Sequence, residues 1–227
     1  MIVGNGILAS SFKRSEYNWD DVIIMASGVS NSNETDKEAY ERERQLIKAY
    51  QHTNKTLVYF STTSIYEEAK QQTMYIQYKK EIEEYISTVF SKSLIIRLPI
   101  VLSDNNNPRQ LFGYIKDRIK RNEELIVHKN ASRFFFDVEE IPRATHIILE
   151  NMQSRNESNV SINVGFPRKF TMLELVKVLE AAHPNLRTKV IDLGEQYETD
   201  FSHFLSLIDD RYSFKSNNPE ALIRYYL

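Results

Sequence analysis

The chain has 227 residues, no cysteine, five histidines and a formal net charge of −2 at pH 7. That length can bury one large core, or a core with a smaller lobe beside it. The balanced charge offers no field for nucleic acid or an anionic membrane, the missing cysteines exclude disulfides and thiolate chemistry, and the scattered histidines form no i, i+4 pair that would hold a metal.

Met1–Val3 predicts a very short apolar strand and Ile7–Phe12 the first turns of a helix, with Gly4 and Gly6 between them. Glycine is kept where the backbone takes positive φ or approaches another group closely. A Gly-x-Gly turn at a helix start also presents N–H groups at the positive end of the helix dipole, which is a seat for phosphate. With Ala9 the stretch reads G-x-G-x-x-A, the loose form of the dinucleotide-binding fingerprint. Asp21–Ser27 (DVIIMAS) reads as a strand buried on both faces. Asn33–Tyr50 is charged but carries Ala39, Leu46, Ile47 and Tyr50, and predicts an amphipathic helix.

Lys55–Thr63 is the next buried strand, and Tyr75–Phe90 the next helix, with Ile82, Ile86, Val89 and Phe90 on one stripe. Ser93–Leu102 reads as a strand with Pro99 near its end. Ser103–Gln110, with Asn105, Asn106 and Asn107, reads as a loop and divides the chain into parts 1–102 and 103–227. Beyond it lie a helix (Leu111–Arg121), a strand (Arg133–Val138), a helix starting near Pro142, a strand (VSINVGF) and a helix (FTMLELVKVLEAA). Alternating buried strands and helices predict an α/β fold built on a parallel sheet. No apolar run approaches the ~20 residues of a membrane span and no basic-then-apolar leader is evident, so the expected location is the cytoplasm.

Tyr75 and Lys79 stand four apart and share a helix face. A phenol with a pKa near ~10 is a poor base at neutral pH, and an ammonium beside it favours the phenolate. Tyr66 and Lys70 repeat the spacing, but the amphipathic helix begins at Tyr75. Tyr78 and Lys80 are expected on the exposed side of the helix.

The blocks GNGILA, DDVIIMASG, VYFSTTSIY, YIQYKKEIE, IIRLPIVL and RFFFDVEEIPRA occur in the order seen in the extended short-chain dehydrogenase/reductases. The chain resembles the NAD-dependent epimerase/dehydratase group of that family, which acts on nucleotide-linked sugars, from Met1 to about Leu179. The resemblance implies a catalytic set of Thr62, Tyr75 and Lys79, with Glu83 extending the family's Y-x-x-x-K-x-x-x-E. It implies a cofactor, NAD or NADP, held by Gly4, Gly6, Ile7, Leu8, Ala26, Ser27, Gly28, Lys79, Pro99 and Val101. Arg133 and Thr63 fall at substrate positions, for a nucleotide sugar of surface polysaccharide synthesis. Homodimerisation through Asn33–Tyr50 and Tyr75–Phe90 is a further implication, although those stripes also suit a core.

The chain departs from the family between Gly6 and Val22. That interval normally holds a helix, a second strand, another helix and a third strand, and the second strand ends in the acidic residue that binds the adenosine ribose. Neither strand fits here. The expected fold is therefore a reduced Rossmann-type parallel sheet, its first strand at or near an edge, with a small C-terminal substrate lobe. Lys13 and Arg14 are the cations placed to meet a 2′-phosphate. The lost adenosine wall leaves a second reading open, a family member that binds a nucleotide or protein partner without catalysis.

Overall fold

The computed structural model describes residues 1–104, 110–208 and 212–227; Asn105, Asn106 and Asn107 of the expected loop lie outside them. The first half of the chain runs β1 (Ile2–Val3), α1 (Ile7–Arg14), β2 (Val22–Met25), α2 (Lys37–Lys48), β3 (Thr56–Thr62), α3 (Met74–Val89), β4 (Ser93–Leu98) and β5 (Ile100–Leu102). The second continues with α4 (Leu111–Arg121), β6 (Leu125–His128), β7 (Ser132–Arg133), β8 (Phe135–Asp137), α5 (Ile141–Ser154) and β9 (Asn159–Asn163). It closes with β10 (Phe170–Thr171), α6 (Met172–Ala182), β11 (Thr188–Ile191), α7 (Ser202–Leu207) and α8 (Pro219–Tyr226).

Five strands form one parallel sheet in the order β1-β2-β3-β4-β9. With no strands between β1 and β2 in the chain, β1 takes the edge, as the short interval required. Side chains alternate across the pleat. Ile24, Val58, Leu94 and Ile96 face a core closed by Phe12 of α1, by Ile147 and Ile148 of α5 and by Phe204 of α7. Ile23, Met25, Leu57, Tyr59 and Ile95 face the opposite core, closed by α2 and α3. The stripes of α2 and α3 that also suited a dimer face pack here, with Ile47, Ile82 and Ile86 fully buried.

Local chemistry fixes where these helices begin. The Asp36 side chain accepts the Glu38 N–H and caps α2, so the helix is shorter than the expected Asn33–Tyr50. Thr73 caps α3 in the same way, accepting the Ile76 N–H. The strand expected over Ser93–Leu102 is two strands. Proline has no N–H for a ladder, and the chain changes partners at Pro99: β4 lies between β3 and β9, whereas β5 pairs with β8. Arg133–Val138 likewise divides at Phe134, with β7 antiparallel to β10.

Beyond the sheet, three two-stranded pairs (β5 with β8, β6 with β11, β7 with β10) combine with α4, α6 and α8 around Phe112, Leu125, Phe135, Leu179 and Ile223. The chain crosses between the two bodies. It leaves the sheet after β4, returns for α5 and β9, and leaves again at β10.

Candidate active site

The C-terminal ends of β1, β2, β3 and β4 open into a cleft of about 950 Å³, the usual ligand position in open parallel sheets. Gly6 begins its floor; Gly4 precedes it without lining the cleft, and the two glycines are kept for different reasons. Gly4 has φ +126°, and a Cβ there would lie 2.4 Å from the Ala26 carbonyl oxygen, so only glycine lets β1 turn past β2. Gly6 stands at the N-cap of α1 with no side-chain cap, and a Cβ built on it meets nothing within 4 Å. The space above the helix N-terminus is open, as an anion seat requires. Ile7, Leu8, Ala26, Ser27, Gly28, Pro99 and Val101 also line the cleft.

Thr62, Tyr75 and Lys79 come together on its wall, between the end of β3 and the first turns of α3. Thr62 bears on the Tyr75 phenol, favouring its charged form, and its own Oγ1 accepts the Ser64 N–H at 3.1 Å. Tyr66 is elsewhere: its hydroxyl donates to Asn163 (3.0 Å) and accepts from Arg97 (3.1 Å). Glu83 serves structure, its carboxylate gripped by Arg97 at 2.6–3.2 Å.

The electrostatics differ from the expectation. Lys79 was expected to pull the Tyr75 phenol down; instead its pKa is raised, first by burial and then by the Glu43 carboxylate, with Thr62 opposing. Lys79 is not among the groups that offset this rise, and it is already paired. Its ammonium donates to Glu43 Oε1 (3.1 Å) and to the Tyr59 hydroxyl (2.6 Å), in a site where Lys79 and Glu43 are each 3 % exposed. Tyr78 is a second correction. Expected exposed, it is buried between α2 and α3, its ring 4.8 Å from that of Tyr40. Lys80 is exposed.

At the substrate end Arg133 lines the cleft with Glu67, Lys70 and Tyr197. Glu67 is buried and accepts from Ser64 (2.7 Å) and Lys70 (2.9 Å), with Arg133 at 3.8 Å. Thr63 is buried behind the wall, 3.2 Å from the Tyr197 hydroxyl. Lys13 folds back onto the glycine turn, donating to the Gly4 carbonyl (3.2 Å) and Asn5 (3.3 Å), while Arg14 pairs with Glu139.

Sequence reasoning missed Glu43, Tyr59, Glu67 and Tyr197. For Glu43 a signal existed: Tyr40, Glu43 and Ile47 fall at i, i+3 and i+7, so a carboxylate occupies the middle of the buried stripe of α2.

No family model and no curated protein matches the sequence. Solved structures do. The chain is similar to UDP-glucose-4-epimerase from Stenotrophomonas maltophila with bound NAD and formylated UDP-arabinopyranose, at 15 % identity and TM-score 0.70 over 91 % of this chain and 75 % of that one. It is similar to UDP-glucuronic acid 4-epimerase from Bacillus cereus in complex with UDP-glucuronic acid and NAD, at 16 % identity and TM-score 0.67, over 91 % and 74 %. RMD from Pseudomonas aeruginosa complexed with NADPH matches at 15 % identity and TM-score 0.66, over 97 % and 86 %. The chain thus has the Rossmann-type fold of the NAD-dependent nucleotide-sugar epimerases and dehydratases, in a truncated form.

Proposed function

We propose that the protein is an NAD(P)-dependent reductase or epimerase of a nucleotide sugar, working in the cytoplasm in surface polysaccharide synthesis. The observation that carries this reading is the meeting of Thr62, Tyr75 and Lys79 beside an open glycine cradle in one cleft.

The residues fit the cofactor at two of its three parts. The turn from Gly4 to Leu8 would hold the pyrophosphate on backbone N–H groups. Lys79, with two of its donors engaged by Glu43 and Tyr59, would offer the third to a ribose hydroxyl, and the Pro99–Val101 backbone would meet the carboxamide. The adenosine end has no carboxylate from a second strand. When bound, the cofactor supplies or accepts the hydride. Tyr75 carries the proton exchanged with the sugar oxygen, and Thr62 orients that oxygen by hydrogen bonding to it. Arg133, with its charge only partly met by Glu67 at 3.8 Å, is placed for a substrate phosphate.

Hydride transfer, followed with both cofactors on 4-keto nucleotide sugars, tests the reading. Tyr75→Phe should lower the rate by ~10²-fold or more, the usual worth of a positioned proton donor, while Tyr66→Phe should leave it nearly unchanged. Equal rates in the two variants would remove Tyr75 from the mechanism. The missing adenosine wall favours a second reading, binding without catalysis. Calorimetric binding of a nucleotide with no hydride transfer would establish that one.

A further inference from the structure

Glu67 is a buried acidic residue that the proposed mechanism does not use. It lies just beyond Thr62, where the chain leaves β3 through two short helical turns, Thr63–Tyr66 and Glu68–Lys70. Three hydrogen bonds fasten the first turn. Thr62 Oγ1 accepts the Ser64 N–H at 3.1 Å, the Ser64 carbonyl accepts the Glu67 N–H at 3.1 Å, and the Ser64 hydroxyl donates to Glu67 Oε1 at 2.7 Å. The Glu67 carboxylate is thereby tied to Thr62, and both residues line the same cleft. Its side chain is 3 % exposed, and its two oxygens are served unequally. Oε1 accepts from Ser64 and also from the Lys70 ammonium at 2.9 Å. Oε2 makes no hydrogen bond among the described residues; Arg133 Nη2 stands 3.8 Å from it, beyond hydrogen-bond length. A buried carboxylate oxygen without a donor is costly, and the cleft is where a donor can enter.

We propose that Glu67 is a specificity-determining residue of the substrate end: its Oε2 accepts a hydrogen bond from the sugar hydroxyl at the carbon next to the anomeric carbon, while Arg133 holds the phosphate on the anomeric oxygen. The inference deepens the nucleotide-sugar reading above and rests on it. Arg133 and Glu67 stand side by side in the cleft, and Arg133 Nη1 is anchored on the Ser132 carbonyl at 2.7 Å. A phosphate on the guanidinium brings the anomeric carbon with it, so the first ring hydroxyl comes within reach of Oε2. The charges decide which donor fits. Glu67 already faces two cations, Lys70 and Arg133, so a substrate ammonium would meet a net positive cluster. A sugar carboxylate would bring Oε2 no proton. A neutral hydroxyl supplies the missing donor and leaves the charge balance unchanged. Tyr197, beside them, keeps its hydroxyl on Thr63 at 3.2 Å and does not compete for Oε2. Because the acceptor is a carboxylate, the hydrogen bond is of the stronger kind. A sugar without that hydroxyl leaves Oε2 buried and unmet.

Calorimetric titration of the whole chain, with NADH and without it, tests the inference on ligands that differ by a single oxygen. The probes are glucose and 2-deoxyglucose, each linked to UDP and, in parallel, to dTDP. Wild type should bind the 2-hydroxy ligand about tenfold or more tighter than its 2-deoxy analogue, the size of one hydrogen bond to a charged group. Glu67→Gln, which puts an amide where the carboxylate was, should bring that ratio to within about threefold of one. A purely structural role for Glu67 would weaken both ligands alike and leave the ratio standing. That result, or a wild-type ratio near one, overturns the inference alone. If Glu67→Gln does not fold, Glu67→Asp is read in its place: it keeps a charge for Lys70 and draws the oxygens back by one carbon, so the ratio should fall there too. No binding of any of these probes overturns the proposed function, and the inference with it.

Discussion

Two glycines two positions apart make opposite demands, and the difference is testable. Gly4 is constrained by the protein itself: positive φ and contact with the Ala26 carbonyl mean that Gly4→Ala should destabilise the fold by ~2 kcal/mol or more. Gly6 is constrained by nothing in the protein, because its missing Cβ faces open space. Gly6→Val should therefore fold with near wild-type stability in chemical denaturation and yet lose cofactor binding in calorimetry, its branched side chain filling the phosphate seat. Intact binding in that variant would reduce the motif to a turn. The same scale shows what was legible. Tyr75 and Lys79 could be paired from their spacing on one helix face, and the family resemblance added Thr62 to them. The burial of Glu43 was there to be read in the stripe of α2, but its pairing was not, since its partners Tyr59 and Lys79 lie 16 and 36 residues away and only the tertiary fold joins them.

Among the elements, α6 carries the clearest local code. Thr171 accepts the Glu174 N–H (3.1 Å), and Glu174 Oε2 accepts the Thr171 N–H (2.8 Å), a reciprocal cap at the start of the helix. Thr171→Ala should lower stability by ~1 kcal/mol. The Thr171 backbone hydrogen bond is the main cause holding the Glu174 carboxyl below its ordinary 4.5, with the Thr171 hydroxyl and Arg168 adding to it. A carboxyl depressed in the folded state stabilises at pH above its unfolded value, and that contribution disappears as pH falls through the lower folded value. Below about pH 4.5, then, the stability of Glu174→Gln should fall less steeply than that of wild type in acid titration; parallel curves would show that the cap has no electrostatic part. The helix α3 was readable from its stripe, and α5 from the proline at its start. The strand expected over Ser93–Leu102 was readable as extended chain, but its division was not, because the partner β8 lies in another part of the chain.

At the level of the whole molecule, the gap between Gly6 and Val22 carried the edge position of β1, and a C-terminal lobe was expected, but its strand pairs stayed hidden because those strands are only two to four residues long. The segment that replaces the two missing strands adds no edge to the sheet; Trp19 turns inward and packs on Phe12, ring centroids 5.0 Å apart. The adenosine half of a dinucleotide would therefore extend past β1 with no strand end to hold its ribose. One lost charge-assisted hydrogen bond, at ~1.5–3 kcal/mol, is about ten- to a hundredfold in affinity. We expect calorimetry to give NADH a Kd of tens of micromolar or weaker, with reduced nicotinamide mononucleotide binding within about a hundredfold of it. Lys13 sits on the glycine turn itself and Arg14 is engaged by Glu139, so neither cation is set aside for a 2′-phosphate. NADPH should then bind within about tenfold of NADH, and Lys13→Ala should weaken both alike. Submicromolar NADH, or a loss confined to NADPH in that variant, would mean that an adenosine site exists which the edge position of β1 does not provide.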